Sequence, residues 1–83
     1  MKITLKLYAN LSGYLPANAQ YNRVEIDIAQ DNTPHQVLSA YHVPLAMAHL
    51  VLLNGVYLLP EQRDQPLLKS GDTLAVWPPV AGG

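Results

Sequence analysis

Thr73-Leu74-Ala75-Val76-Trp77-Pro78-Pro79-Val80-Ala81-Gly82-Gly83 closes the sequence. Its first five residues alternate. Leu74 and Val76 point one way and Thr73, Ala75 and Trp77 the other, which is the period of a half-buried strand. Pro78 and Pro79 fix their own backbone and donate no ladder hydrogen bond, so the strand ends in a stiff, extended stem. Val80, Ala81, Gly82 and Gly83 prolong it, and six extended residues reach about 20 Å. Gly82 and Gly83 carry no side chains and fit a channel too narrow for a Cβ. With Gly83 read as the true end, the one functional group at the tip is its α-carboxylate. That group is a poor electrophile until activated. An acyl-adenylate would give it a leaving group and open it to sulfur or nitrogen. The competing reading is a flexible end of no consequence. A Gly-Gly end arises by chance in about one chain in 200, and its union with a Pro-Pro stem and a strand favours the functional reading.

The body upstream reads as strands around one helix. Ile3, Leu5 and Leu7 alternate with Lys2, Thr4, Lys6 and Tyr8, and Val24, Ile26 and Ile28 with Arg23, Glu25 and Asp27. Each run has a buried and an exposed face. The loop between them, rich in Asn, Ser, Gly and Pro, carries Leu11, Tyr14 and Leu15 as apolar pins. Thr33-Pro34 is a helix start, with Thr as N-cap and Pro in the first turn. Val37, Leu38, Ala40 and Tyr41 give the apolar face, and His42-Val43-Pro44 ends the helix. Leu45–Ala48 reads as an irregular turn. His49-Leu50-Val51-Leu52-Leu53 reads as a central strand, Asn54-Gly55 as a tight hairpin turn and Val56-Tyr57-Leu58-Leu59 as a short return strand. Pro60–Asp64 is a polar loop, Pro66-Leu67-Leu68 a tucked turn and Ser70-Gly71-Asp72 a turn, with Asp72 fixing the entry to the last strand. The order predicts an α+β protein with the β-grasp, or ubiquitin-like, roll: a mixed sheet of about five strands with one main helix across one face. Residues 1–77 form the domain and 78–83 the extended tail. The first and last strands lie side by side in the middle, so Lys6, Tyr8, Ala75 and Trp77 share the outward face.

At 83 residues and 49% apolar composition, the chain has the size of one globular domain. Its net charge of −1, from scattered Lys and Arg, leaves no footprint for nucleic acid. There is no cysteine, hence no disulfide, thiolate ligand or cysteine nucleophile. The N-terminus alternates instead of forming a signal peptide, and no run has the length of a membrane span. These features predict a cytoplasmic protein with no nucleic-acid or membrane partner. His35, His42 and His49 recur every seven residues, but only His35 and His42 can share a helix face, and no carboxylate cluster accompanies them. No metal site is expected. Glu25 and Asp27 read as solvated strand charges, and Ser39 and Ser70 lack a base. No catalytic residue is expected on this chain. Tyr8, Tyr57 and Trp77 are candidates for a partner docking patch, since aromatics concentrate at interfaces and Trp77 abuts the tail.

Leu53-Asn54-Gly55, Pro66-Leu67-Leu68-Lys69-Ser70-Gly71-Asp72-Thr73-Leu74-Ala75-Val76 and Pro78-Pro79-Val80-Ala81-Gly82-Gly83 together resemble the MoaD/ThiS family of ubiquitin-like sulfur carriers. Within it, Pro-Pro-Val-x-Gly-Gly looks most like the small subunits of molybdopterin synthase. Trp77 stands where that family often has Phe. The resemblance implies a non-catalytic carrier. A ubiquitin-activating-type enzyme consumes ATP and Mg²⁺ to adenylate Gly83, and a persulfide donor converts it to a thiocarboxylate. The tail, Pro78 to Gly82, then enters a large synthase subunit, in a heterotetramer of two large and two small subunits, and gives sulfur for the molybdenum cofactor. No cofactor is held stably by the carrier. The same features admit a carrier for thiamine or amino-acid biosynthesis, or a modifier conjugated through Gly83.

Overall fold

The computed structural model describes residues 1–80. Ala81, Gly82 and Gly83, which carry the end of the tail, lie outside the described residues. Five strands and one helix follow in the order β1 (Lys2–Leu7), β2 (Arg23–Asp27), α1 (Pro34–Ala40), β3 (Leu50–Leu53), β4 (Val56–Tyr57) and β5 (Thr73–Trp77). The sheet order is β2-β1-β5-β3-β4. β1 and β5 run parallel in register, Leu5 beside Leu74 and Leu7 beside Val76, and the other neighbours are antiparallel. This is the predicted β-grasp, with β5 at its centre.

One face of the sheet makes the core. Ile3, Leu5 and Leu7 of β1, Val24 and Ile26 of β2, Val51 of β3, and Leu74 and Val76 of β5 are buried with Val37 and Leu38 of α1. Two 3₁₀ segments close the rim. Ala9–Tyr14 carries the fully buried Leu11, and Leu45–Met47 leads into β3. The sequence marked Leu11 as a pin, and burial of the whole side chain contributes about 1.5–3 kcal/mol.

α1 is short and its two ends are closely specified. The Thr33 hydroxyl accepts from Gln36 N–H at 3.1 Å, while Gln36 Oε1 accepts from Thr33 N–H at 2.9 Å, a reciprocal capping box. At the other end His42 N–H donates to Ser39 O and Val43 N–H to Leu38 O, both at 3.0 Å. That pairing is a Schellman motif, and it needs a left-handed residue after the cap. His42 supplies it with φ 64°, where glycine is usual. The helix therefore ends through its own hydrogen bonds two residues before the position where Pro44 alone would stop it.

Asn54 and Gly55 form the β3–β4 turn with φ 51° and 82°. Asn54 also reaches sideways. Its Oδ1 accepts from Thr73 N–H at 2.8 Å and its Nδ2 donates to Asp72 Oδ1 at 2.9 Å, while Asp72 Oδ2 accepts from Lys69 N–H at 2.8 Å. Asp72 thus closes the turn before β5, as expected from sequence, and ties it to the neighbouring hairpin. Pro60–Asp64, expected as a polar loop, is a 3₁₀ segment. Its Arg63 is buried at 5% exposure.

Candidate functional site

The tail stem leaves the sheet from its middle strand. Trp77 is the last residue of β5, and its ring lies flat on Tyr8, with centroids 4.4 Å apart and planes 5° from parallel. The register explains the contact. Leu7 is paired with Val76, Tyr8 N–H donates to Val76 O at 3.1 Å, and the next residue of each strand turns outward together. Stacked aromatic pairs with offset rings add about 0.5–1.5 kcal/mol beyond their burial, so the stem base is braced. Pro78 is itself buried, whereas Pro79 is exposed and Val80 is 76% exposed. The free stem therefore begins at Pro79. That is one residue later than a stem counted from Pro78.

Two rows of outward side chains cross the sheet beside the stem. The nearer row holds Tyr8, Trp77 and Leu50, the last being opposite Trp77 and 37% exposed. The second runs through all five strands as Arg23, Lys6, Ala75, Leu52 and Tyr57. Tyr57 is 46% exposed, and Ala75 is outward-facing but covered. The three aromatics singled out in sequence thus share one face, Tyr8 and Trp77 in contact and Tyr57 two strands from Trp77. Leu50 and Leu52 belong to that face and were missed. The run from His49 to Leu53 reads as a central strand, and its unbroken apolar sequence does not divide its two faces; within Leu50–Leu53 only Val51 is buried. The signal that finds them is register: Leu50 and Leu52 alternate with Val51 exactly as Trp77 and Ala75 alternate with Val76.

Arg63 is the other residue the sequence left unmarked. Its guanidinium donates through Nε to Leu58 O at 3.1 Å, through Nη1 to Ala48 O at 2.9 Å and through Nη2 to Leu58 O at 2.9 Å. Longer contacts reach the Tyr57 hydroxyl at 3.3 Å and His49 O at 3.4 Å, and its central carbon sits 5.6 Å from the Tyr57 ring centroid. Among the described residues no carboxylate lies within ion-pair distance of it. Backbone carbonyls do the compensating, as a buried charge requires. His49 N–H in turn donates to Trp77 O at 3.1 Å, so Arg63 underpins both the Tyr57 and the Trp77 sides of the face.

The three histidines are separated by the fold. His35 Nδ1 lies 2.7 Å from Asp64 Oδ1, bridging α1 and the Pro60–Asp64 segment, His42 caps α1 and His49 precedes β3. Among the described residues no three His, Cys, Asp or Glu side chains gather where they could hold a metal ion, and no helix is long and apolar enough to cross a membrane.

A family described as Mut7-C ubiquitin matches residues 1–82. Among solved structures, SAMP1 from Haloferax volcanii, the small archaeal modifier protein 1, is 25% identical over all of both chains with a TM-score of 0.65. The Haloferax volcanii HVO 2177 protein is 22% identical over all of this chain and 87% of its own, with a TM-score of 0.77. Subunit 1 or 2 in the complex of the Helicobacter pylori molybdopterin-converting factor is 18% identical over all of both chains, with a TM-score of 0.58. The comparison with curated proteins returns no match. The last two likenesses bear on the fold alone. The matching family is a ubiquitin-like one, and likeness to a molybdopterin subunit lies at the level of the fold.

Proposed function

Because the chain belongs to the Mut7-C ubiquitin family, we propose that it is a ubiquitin-like carrier acting through the carboxylate of Gly83, as a sulfur carrier for molybdopterin synthesis. The observation that carries this reading is the braced stem. Trp77 stacked on Tyr8 and a buried Pro78 fix the root, and Pro79 and Val80 stand exposed beyond it. A rigid root lowers the entropy lost when a tail is ordered in another protein's active site. The sheet face with Tyr8, Leu50, Tyr57 and Trp77 offers the receiving enzyme its docking surface.

In the proposed cycle, the Gly83 carboxylate attacks the α-phosphate of ATP, pyrophosphate leaves, and an acyl-adenylate forms on a ubiquitin-activating-type partner that binds ATP and Mg²⁺. The terminal sulfur of a persulfide attacks the acyl carbon and AMP departs. A second thiol then cleaves the acyl disulfide, leaving the thiocarboxylate. The chain contributes the reacting carboxylate, the slim Gly82-Gly83 entry and the docking face, and the other reacting groups are the partners'. A large synthase subunit, in an assembly of two large and two small subunits, would receive the tail. The two-subunit complex of the Helicobacter pylori molybdopterin-converting factor supports such a partner. Intact-mass analysis of the protein from its native host tests the proposal. Exchange of one terminal oxygen for sulfur at Gly83 is expected. Function that survives an added residue after Gly83 would sink it.

A second reading, conjugation of Gly83 to lysines of other proteins, is favoured by the 25% identical neighbour being a modifier by name. Isopeptide-linked species in the same mass analysis would select it.

A further inference from the structure

We propose that Lys6 and Arg23 form a cationic contact for a short acidic segment of the protein that receives the tail. The inference rests on the carrier reading and adds the chemistry of the partner's surface.

Lys6 and Arg23 stand directly opposite each other across β1 and β2 and share the outward face. Leu7 N–H bonds to Asn22 O, and Met1 and Ile28 exchange two bonds at the other end of the ladder. The odd residues of β1 therefore occupy the hydrogen-bonded pairs. Lys6 and Arg23 fall in a non-hydrogen-bonded pair, where side chains approach most closely. Like charges in that position weaken a ladder. The same ladder solves the problem four residues earlier: Lys2 is opposite Asp27 and bonds it at 3.0 Å. Glu25 is on the same face, diagonal to Lys6 and two residues from Arg23. Even so, neither cation makes an ion pair with any carboxylate among the described residues. A sequence that pairs charge at one end of the ladder and opposes it at the other is locally inconsistent, and such inconsistency concentrates at functional positions.

The placement of the pair gives it a use. Lys6 is the neighbour of Ala75 in the row that ends at Tyr57, and the next row outward is the Tyr8–Trp77 stack. The two cations therefore flank the stem root on the side opposite Leu50 and Tyr57. Beside Arg23 lies an open hollow of about 610 Å³ lined also by Thr4, Asn18, Gln20, Tyr21 and Glu25. Its far wall is a tight turn in which Gln20 and Arg23 exchange backbone bonds at 3.0 Å and Asn22 Nδ2 donates to Leu7 O at 3.1 Å. Tyr21 is held in that turn at φ 54° with its side chain almost wholly in solvent, an uncommon conformation for a bulky residue. The hollow offers the Arg23 guanidinium, the Asn18 and Gln20 amides and the Tyr21 phenol, and Lys6, outside its lining, adds an ammonium from the position opposite Arg23; these are donors that a carboxylate needs. Only two cations, with Glu25 at the next outward position of β2 and a chain charge of −1, do not suit a phosphate polymer. A short acidic stretch on a protein suits both the number of donors and the single opposing charge.

The test uses the full chain and the native host's adenylating enzyme, read by ATP–pyrophosphate exchange. In Lys6→Glu the concentration for half-maximal exchange is expected to rise about tenfold with the turnover unchanged, and its dependence on sodium chloride to flatten. The melting temperature is expected to hold or rise, because Glu then faces Arg23. An unchanged concentration and salt slope overturn the proposal, and so does a fall in melting temperature that accounts for lost exchange. If wild-type protein is not adenylated at all, the carrier reading fails separately. The surface is then tested by nuclear magnetic resonance with hexaglutamate and hexalysine peptides. Shifts at Lys6, Gln20 and Arg23 with hexaglutamate alone, lost in Lys6→Glu, uphold it. Their absence overturns it.

Discussion

Replacing Arg63 is expected to do more damage than any other single change on the surface-facing side of the protein. The side chain is 5% exposed and its three shortest hydrogen bonds fill the carbonyls of Leu58 and Ala48. Arg63→Ala strands those two buried acceptors at about 1–3 kcal/mol each, or about 2–6 kcal/mol together. A domain of this size has a total stability of about 4–12 kcal/mol. The lower figure alone should drop the melting temperature by about 8–16 °C. Urea denaturation followed by circular dichroism, with calorimetry, measures it. Arg63→Lys should fall between, since an ammonium can reach one carbonyl but lacks the planar fork that spans Leu58 and Ala48. A loss below about 0.5 kcal/mol in Arg63→Ala, the range of ordinary surface changes, would show that water replaces the guanidinium freely. The account of how Tyr57 and the Ala48-His49 segment leading into β3 are held would then be wrong.

Other outcomes follow from single features. His42→Gly should raise stability by about 1 kcal/mol, because glycine occupies the left-handed cap without the Cβ penalty, and chemical denaturation reads the gain. Thr33→Ala should cost about 1 kcal/mol by removing the hydroxyl half of the capping box, with increased amide exchange at Gln36. Lys2 has its ammonium pKa raised above the ordinary 10.5 by the hydrogen bond to Asp27 first and its charge second. A raised cation pKa stabilises the fold fully below 10.5 and loses that contribution as pH climbs through the folded value. The difference between wild type and Asp27→Asn in thermal melts should therefore be constant near neutrality and vanish on the alkaline side. Trp77→Phe should keep the stem braced by stacking on Tyr8 and Trp77→Ala should not, read as ring-current shifts of the Tyr8 signals.

Most of the fold was legible because local chemistry and global order agreed. Alternation in β1, β2 and β5, the Thr33-Pro34 start and the Asn54-Gly55 turn each name one structure, and the structure contains it. The helix end was less legible. Its place at His42-Val43-Pro44 was legible, but its mechanism was not, because His42 is not a residue that announces a left-handed cap. β3 was legible as a central strand but its faces were not, because four apolar residues in a row carry no period, and only the partner strand tells which pair faces outward. Arg63 was invisible because its partners are main-chain carbonyls from 5 to 15 residues away, which have no sequence identity. Tyr8 and Trp77 could be brought together from sequence because parallel register between β1 and β5 follows from the fold itself. Ala81 to Gly83, the part of the tail that would carry the chemistry, lies outside the described residues.

Among the described residues, β5 is also the one strand between two otherwise separate ladders. β2 pairs with β1 and β4 pairs with β3, and among the described residues Thr73–Trp77 is the strand that joins the two pairs into one sheet. A chain in which those five residues have not docked has two hairpin-like halves and no continuous sheet. The stem roots in that same segment. Sheet closure and stem orientation are therefore one event, and a partner that grips the braced root reads the folding state of the whole domain before it touches the tip.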